Sequence, residues 1–175
     1  MAENPAGIAA YIALGANLGN PVAQIEQAWS ELGGLPETRL LACSALYLSK
    51  PVGYADQPDF INAVAAVRTQ LTPRALLAEL LGIEARHGRN RTFKNAPRSL
   101  DLDLLLYDGL IMHEHGLTLP HPRMCERAFV LVPLTEIAPD VLIPGHARAR
   151  DCLAQLDSAV IVRLPMEPAC VAGCQ

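Results

Sequence analysis

Hydrophobic residues recur along this chain with two different spacings, and their order predicts a mixed fold of strands and helices. Residues 8–14 form a short apolar run, which is typical of a buried strand. In 22–32 the apolar residues recur at every third or fourth position, which places them on one face of a helix. Two further segments, 41–49 and 60–69, are predicted to be strands, and a turn-rich stretch separates them.

The pattern continues in the same way after residue 70. Thr72 as N-cap and Pro73 at the first helical position begin a helix that ends by Gly88, and a strand follows over 100–107. The order strand, helix, strand, strand, helix, strand predicts an α+β fold with a ferredoxin-like βαββαβ antiparallel sheet and helices packed on it. Predicted C-terminal additions are a hairpin over 110–119, helices over 126–137 and 149–156, and a strand over 160–164.

Length and composition indicate one domain. The chain has 175 residues, 51% of them hydrophobic, which is enough for one core and too little for two comfortable domains. We expect a single domain over 1–175, with 165–175 as a loosely held end. No apolar run reaches the roughly 18 residues of a membrane helix, and the first residues carry no basic segment. We therefore expect a cytoplasmic protein.

The cysteines do not suggest a disulfide framework. They are odd in number and include no C-x-x-C pair, so neither a set of disulfides nor a structural zinc site is indicated. We expect reduced thiols with mostly structural roles at Cys43, Cys125, Cys152, Cys170 and Cys174.

Positive charge is concentrated in one segment of an acidic chain. The formal net charge is -4, which argues against general binding of nucleic acid. Residues 86–98 nevertheless hold 5 of the 14 Lys and Arg residues and contain no Asp or Glu. Such a local excess predicts a small, highly charged anionic ligand.

Two aspartates follow this basic segment. Asp101 and Asp103 lie two apart in the predicted strand, so their carboxylates point to the same face. Ordinary alternation on a half-solvated sheet is the simpler explanation for such a pair. However, Asp is disfavoured in strands, and two like charges repel unless a cation lies between them. Because Mg²⁺ takes one or two protein carboxylates plus phosphate oxygens, we favour a magnesium-nucleotide site.

Arginines near the aspartates could hold the phosphates. Arg89, Arg91 and Arg98 precede the strand, and guanidinium groups bind phosphate oxygens in pairs. A solvated basic loop is the alternative. Arg123 and Arg127 form a second basic group, which would contribute only if the fold brings it to the first.

Three other motifs are weaker. The turn 15–21 lies between a strand and a helix, where backbone N–H groups can receive an anion, but a plain turn is the better account. His121 lies between two prolines, and a single histidine is more often structural. The sequence 113–115 reads His-Glu-His, without the spacing of a metal motif, and we expect these side chains to be exposed.

Residues 94–105 carry a family signature. It consists of a basic residue, any residue, Gly or Ala, Pro, Arg, two more residues, Asp-x-Asp and two aliphatics. The chain thereby resembles the hydroxymethyldihydropterin pyrophosphokinase family. The segments 11–19, 57–62 and 119–124, with Arg127, are similar to further blocks of that family.

The resemblance implies an enzyme of folate biosynthesis. It would transfer pyrophosphate from ATP to 6-hydroxymethyl-7,8-dihydropterin, giving the pterin diphosphate and AMP. Two Mg²⁺ ions would be the cofactors, with ATP as co-substrate. We expect a monomer that binds neither nucleic acid nor a membrane.

The resemblance also assigns residues to this reaction. The catalytic residues implied are Arg89, Arg98, Asp101, Asp103 and Arg127, and the metal ligands are Asp101 and Asp103. The residues implied for ATP are Arg89, Arg91, Arg98, Leu104, Thr118 and His121. Those implied for the pterin are Ser49, Val52, Phe60, Asn62, Asp101 and Phe129, with the two phenylalanines stacking on the ring.

Two other functions fit parts of the sequence. An RNA-binding module shares the predicted strand order and the basic loop, but it would need aromatic residues where this chain has Asp101 and Asp103. A magnesium-nucleotide kinase acting on another small alcohol would share the metal pair, and the segment 57–62 argues against it.

Overall fold

A computed structural model describes residues 7–53, 55–88 and 99–165 of the chain. The strands in this part are β1 (Ile8–Ala16), β2 (Thr38–Cys43), β3 (Tyr47–Ser49), β4 (Phe60–Thr69), β5 (Asp101–Tyr107), β6 (Met112–Glu114), β7 (Leu117–Leu119) and β8 (Val162–Arg163). The helices are α1 (Pro21–Gly33), α2 (Pro73–Arg86), the 3-10 helix Met124–Glu126, α3 (Ala128–Ile137) and α4 (Ala149–Leu153).

The main sheet is antiparallel and has β1 and β4 at its centre. Its strands follow the order β5, β1, β4, β3, β8, and β2 pairs with β4 beyond the end of β3. The strands β6 and β7 form a separate hairpin. Because β1 runs antiparallel to both neighbours, the end of β1 lies beside the beginnings of β4 and β5.

The segment 41–49 differs from its prediction as one strand. It forms the end of β2 and all of β3, with a break at Ser44. Ser44 still bonds Val64 of β4: its N–H donates to the Val64 carbonyl, and its Oγ accepts the Val64 N–H. The next N–H, that of Ala45, donates to the Glu136 carboxylate instead of a strand. The Ala45 N–H thus bonds a carboxylate on a helix distant in sequence, where a continuous strand would bond a carbonyl of its neighbouring strand.

The first two helices begin where local capping chemistry favours a start. Asn20 accepts the N–H of Ala23 at 3.2 Å and precedes a proline at the first helical position. Thr72 accepts the N–H of Ala75 at 3.1 Å and likewise precedes a proline. Both helices bury an apolar face with the predicted spacing, formed in α1 by Ile25, Ala28, Trp29 and Leu32 and in α2 by Leu76, Leu80 and Ile83.

Helices cover both faces of the sheet. Alternate residues of β4 therefore enter different clusters: Ala63 and Ala65 pack with α1 and α2, whereas Val64 packs with α3 and α4. None of the described helices is long and apolar enough to cross a bilayer. The basic loop and the predicted loose end beyond residue 165 lie outside the described residues, as do Cys170 and Cys174.

Candidate active site

A cavity of about 860 Å³ lies where the end of β1 meets the beginnings of β4 and β5. Side chains from the chain between residues 121 and 130 form its opposite wall. Its volume falls within the range of roughly 300–1,000 Å³ that is typical of small-ligand sites. Segments far apart in sequence therefore contribute to one binding site.

Asp101 and Asp103 both line this cavity. They alternate with Leu102, which is buried in the core, so the strand turns both carboxylates to the same side. Opposite them on β1 stand two residues with little or no side chain, Gly15 beside Asp101 and Ala13 beside Asp103. These small residues also line the cavity and leave room for a ligand in front of the carboxylates.

A buried carboxylate fixes the strand between the two aspartates. Glu84 of α2 is 2% exposed, and its Oε1 accepts the N–H of Leu102 at 2.7 Å. This hydrogen bond restrains the backbone that carries both Asp101 and Asp103. Sequence reasoning assigned no role to Glu84, since a single acidic residue in a helix gives no signal of this contact.

The donor set fits magnesium. Within the described residues no group of three or more His, Cys, Asp or Glu side chains could hold a metal ion. Asp101 and Asp103 supply hard oxygen ligands, and Mg²⁺ ordinarily completes its shell with water and substrate phosphate oxygens. The pair therefore suits an ion that arrives with a nucleotide.

The fold brings the second basic group to the aspartates. Arg123 and Arg127 line the same cavity as Asp101 and Asp103. The first basic group lies outside the described residues, so the approach of the two groups stays a prediction. The Arg127 guanidinium carbon lies 5.6 Å from the ring centroid of Phe129, within the range of a cation–π contact. The cavity thus combines the two aspartates with two arginines.

His121 is neutral in this setting. Its Nδ1 accepts the backbone N–H of Arg123 at 3.1 Å, so the ring proton is on Nε2. Burial and then the nearby Arg127 lower the pKa of His121 to about 4, against a smaller opposing effect of Asp101. Near neutral pH the ring is therefore an uncharged donor.

The residues expected around a pterin also line the cavity. Ser49, Val52, Phe60, Asn62 and Phe129 all line the cavity. Asn62 is 5% exposed, and its Nδ2 donates to the Ser49 hydroxyl at 2.7 Å and to a main-chain carbonyl at 3.4 Å. Because both amide hydrogens are directed to the protein, Oδ1 is the atom that Asn62 can offer to a ligand.

The two residues predicted near adenine lie away from the cavity wall. Leu104 is 4% exposed within the core, and neither it nor Thr118 of β7 lines the cavity. Arg89, Arg91 and Arg98 lie outside the described residues. The His-Glu-His sequence 113–115 is exposed, as predicted, and its glutamate pairs with Arg74 at 2.7 Å.

The turn after β1 is hydrogen-bonded to a second segment near the cavity, which the sequence did not indicate. Asn17 is 3% exposed, and its Nδ2 donates to Gln57 Oε1 at 2.8 Å and to the Pro58 carbonyl at 2.9 Å. These bonds connect the turn to the segment that carries Lys50 and Val52, both of which line the cavity. An isolated asparagine gives no sequence signal of such a long-range contact.

Known proteins resemble the chain along most of its length. The family model described as 7,8-dihydro-6-hydroxymethylpterin-pyrophosphokinase (HPPK) matches residues 11–139. A 2-amino-4-hydroxy-6-hydroxymethyldihydropteridine pyrophosphokinase of Pseudomonas aeruginosa is 46% identical over 155 residues, covering 89% of this chain and 96% of the relative. A protein of the same name from Haemophilus influenzae is 44% identical over 157 residues, covering 90% and 98%.

Solved structures show the same fold at low identity. A wild-type HPPK-DHPS structure of Plasmodium falciparum superposes with a TM-score of 0.70 at 14% identity. The match covers 88% of this chain and 44% of that longer one. The chain therefore belongs to the 7,8-dihydro-6-hydroxymethylpterin-pyrophosphokinase family, whose members transfer a pyrophosphoryl group from ATP to hydroxymethyldihydropterin in folate biosynthesis.

Proposed function

We propose that the cavity at the end of β1 is the place where this chain transfers pyrophosphate from ATP to 6-hydroxymethyl-7,8-dihydropterin, releasing AMP. The observation that carries the proposal is the composition of its wall. Asp101, Asp103 and Arg127 line it together with the aromatic rings of Phe60 and Phe129. The charged side chains suit a triphosphate, and the aromatic rings suit a flat, polar heterocycle.

The phosphate side would work mainly by electrostatics. We propose that Asp101 and Asp103 hold two Mg²⁺ ions, which when bound neutralise phosphate charge and favour ionisation of the attacking hydroxyl. Arg127 would bind phosphate oxygens, and the Nε2–H of His121 would donate to one of them. Arg123 also lines the cavity and would add positive charge at its edge. Attack at the β-phosphorus then depends on positioning and charge stabilisation.

Five further residues enter the proposal from the sequence alone. Three are arginines for the phosphates, and two are residues expected near adenine. Arg89, Arg91 and Arg98 would add further phosphate ligands, and Arg89, Arg98 and Arg127 would act directly in catalysis. Leu104 and Thr118 would lie near adenine. Since the Leu104 side chain is part of the core, its main chain is the group that could contact a base.

The pterin side would select the acceptor. Phe60 and Phe129 would stack on the ring, and such aromatic pairs contribute about 0.5 to 1.5 kcal/mol beyond the area they bury. Asn62 would accept a hydrogen bond from a ring N–H through Oδ1, because its amide hydrogens are used by the protein. The main chain near Ser49 and Val52 would complete the contact.

We also propose that the chain is a monomer with one domain of ferredoxin-like topology. The order β5, β1, β4 with β3 and β2 on the far side of β4 supports this topology. The alternation β1, α1, strand, β4, α2, β5 along the chain supports it as well.

The test is an assay with purified protein, ATP, Mg²⁺ and 6-hydroxymethyl-7,8-dihydropterin. The proposal predicts equal amounts of AMP and pterin diphosphate, separated by chromatography and identified by mass. Formation of ADP and a pterin monophosphate would instead indicate an ordinary kinase. Omission of the pterin should abolish AMP formation, which excludes simple hydrolysis of ATP.

A further inference from the structure

Two cysteines from different helices lie next to each other. Cys125 belongs to the 3-10 helix and Cys152 to α4, 27 positions further along the chain. Their Sγ atoms are 3.8 Å apart, and both side chains are partly exposed. They meet because α4 packs against the 3-10 helix and α3. Neither thiol has a part in the proposed transfer reaction.

We propose that Cys125 and Cys152 form a site of oxidative modification, at which a small peroxide converts the two thiols into one disulfide. A disulfide bond is about 2.05 Å long, so the sulfurs must approach from their present 3.8 Å. Rotation of the two side chains can supply much of this movement, because the helices that carry them are already in contact.

The reaction is balanced by one peroxide molecule. The thiolate of one cysteine attacks a peroxide oxygen, the O–O bond breaks, and a sulfenic acid and hydroxide form. The second sulfur then attacks the oxidised one, the S–S bond forms, and the sulfenic hydroxyl leaves with a proton as water. In total, two thiols and hydrogen peroxide give one disulfide and two water molecules.

The surroundings assign an order to the two thiols. Burial and then the neighbouring Cys152 raise the pKa of Cys125 to about 12. Cys125 therefore stays protonated near neutral pH, and a thiol is a poor nucleophile. We assign the first attack to Cys152 and the closing attack to Cys125, so the disulfide should form faster as the pH rises.

Peptide mapping of the folded chain tests the site. The protein is treated with hydrogen peroxide, alkylated, and digested with trypsin without reduction. The expected product is residues 124–127 linked to residues 151–163, which separate after reduction. The bond should also raise Tm by roughly 5 to 10 °C, because it closes a loop in the unfolded chain. Cys43→Ser, which changes a cysteine on β2, should retain both effects.

The single variants make the test specific. Cys125→Ser and Cys152→Ser should each lose the linked peptides and the rise in Tm. The proposal is overturned if peroxide carries either sulfur to a sulfinic acid without forming this link. It is equally overturned if the link forms only in denaturant, since proximity in the folded state would then have no effect.

Discussion

At the scale of single residues, the tautomer and charge of His121 are set by its neighbours. The N–H of Arg123 fixes Nδ1 as an acceptor, and burial with nearby Arg127 keeps the ring from gaining a second proton. The consequence is a neutral donor at Nε2, directed by a main-chain contact. Such a group can donate to a phosphate oxygen without first gaining a second proton.

The charge of His121 can be measured in the free protein. We expect its pKa, followed by NMR of the ring, to lie near 4 instead of the ordinary 6.5. The unfolded chain binds a proton on this ring below pH 6.5, whereas the folded chain does so only near pH 4. The free energy of unfolding should therefore fall as the pH drops from 6.5 towards 4.

A substitution separates His121 from the other groups that titrate in this range. His121→Asn should show a smaller loss of unfolding free energy between pH 6.5 and pH 4 than the unchanged protein. A ring that titrates at or above 6.5 in the absence of ligand would contradict the assignment. So would an identical pH dependence in the variant.

At the scale of elements, a carboxylate on α3 holds the strand break in place. Glu136 accepts the N–H of Ala45 and the hydroxyl of Tyr47, each at 2.6 Å. Burial and then the carboxylate raise the pKa of Tyr47 to about 12, which keeps the hydroxyl protonated as a donor. This contact connects α3 to β3, the strand that ends at Ser49 on the wall of the cavity.

Removal of one hydroxyl tests this connection. Tyr47→Phe should lower the free energy of unfolding by about 1.5 to 3 kcal/mol, since the lost hydrogen bond has a charged acceptor. Tyr107→Phe is the matched control, because that hydroxyl donates to the neutral carbonyl of Leu71 at 2.8 Å. Its expected cost is about 0.5 to 1.5 kcal/mol. Equal costs in urea unfolding would contradict a special role for Glu136.

Elements determined by local chemistry were predictable from the sequence. The helix after Thr72 begins as predicted because cap and proline are adjacent, and the strand with Asp101 follows from simple alternation. The break at Ser44 was not predictable, because it depends on Glu136, 91 positions after Ala45. The approach of Cys125 to Cys152 was hidden for the same reason.

At the scale of the whole molecule, the site exists only after the sheet has formed. Antiparallel pairing of β1 with β5 sets Gly15 and Ala13 opposite the aspartates, and the packing of α3 on the sheet brings up Phe129. The sequence could supply the aspartates as candidates through their spacing. It could not show that Arg127 lies beside them, since no local pattern relates the two segments.

The proposed transfer therefore depends most directly on the two carboxylates of β5. The decisive measurement is AMP formation with saturating ATP and pterin over a range of Mg²⁺ concentrations. It compares the unchanged protein with Asp101→Asn, Asp103→Asn and Asp108→Asn. Asp108 is the control, because it follows the same strand in an exposed turn with φ of 49°, which Asn tolerates well.

We predict that Asp101→Asn and Asp103→Asn each reduce turnover by at least about 10² to 10³-fold, the loss expected when stabilisation of transition-state charge is removed. Both variants should melt cooperatively, and Asp108→Asn should turn over like the unchanged protein. Substantial AMP formation by folded Asp101→Asn and Asp103→Asn, with the same dependence on Mg²⁺ as the unchanged protein, would contradict the account.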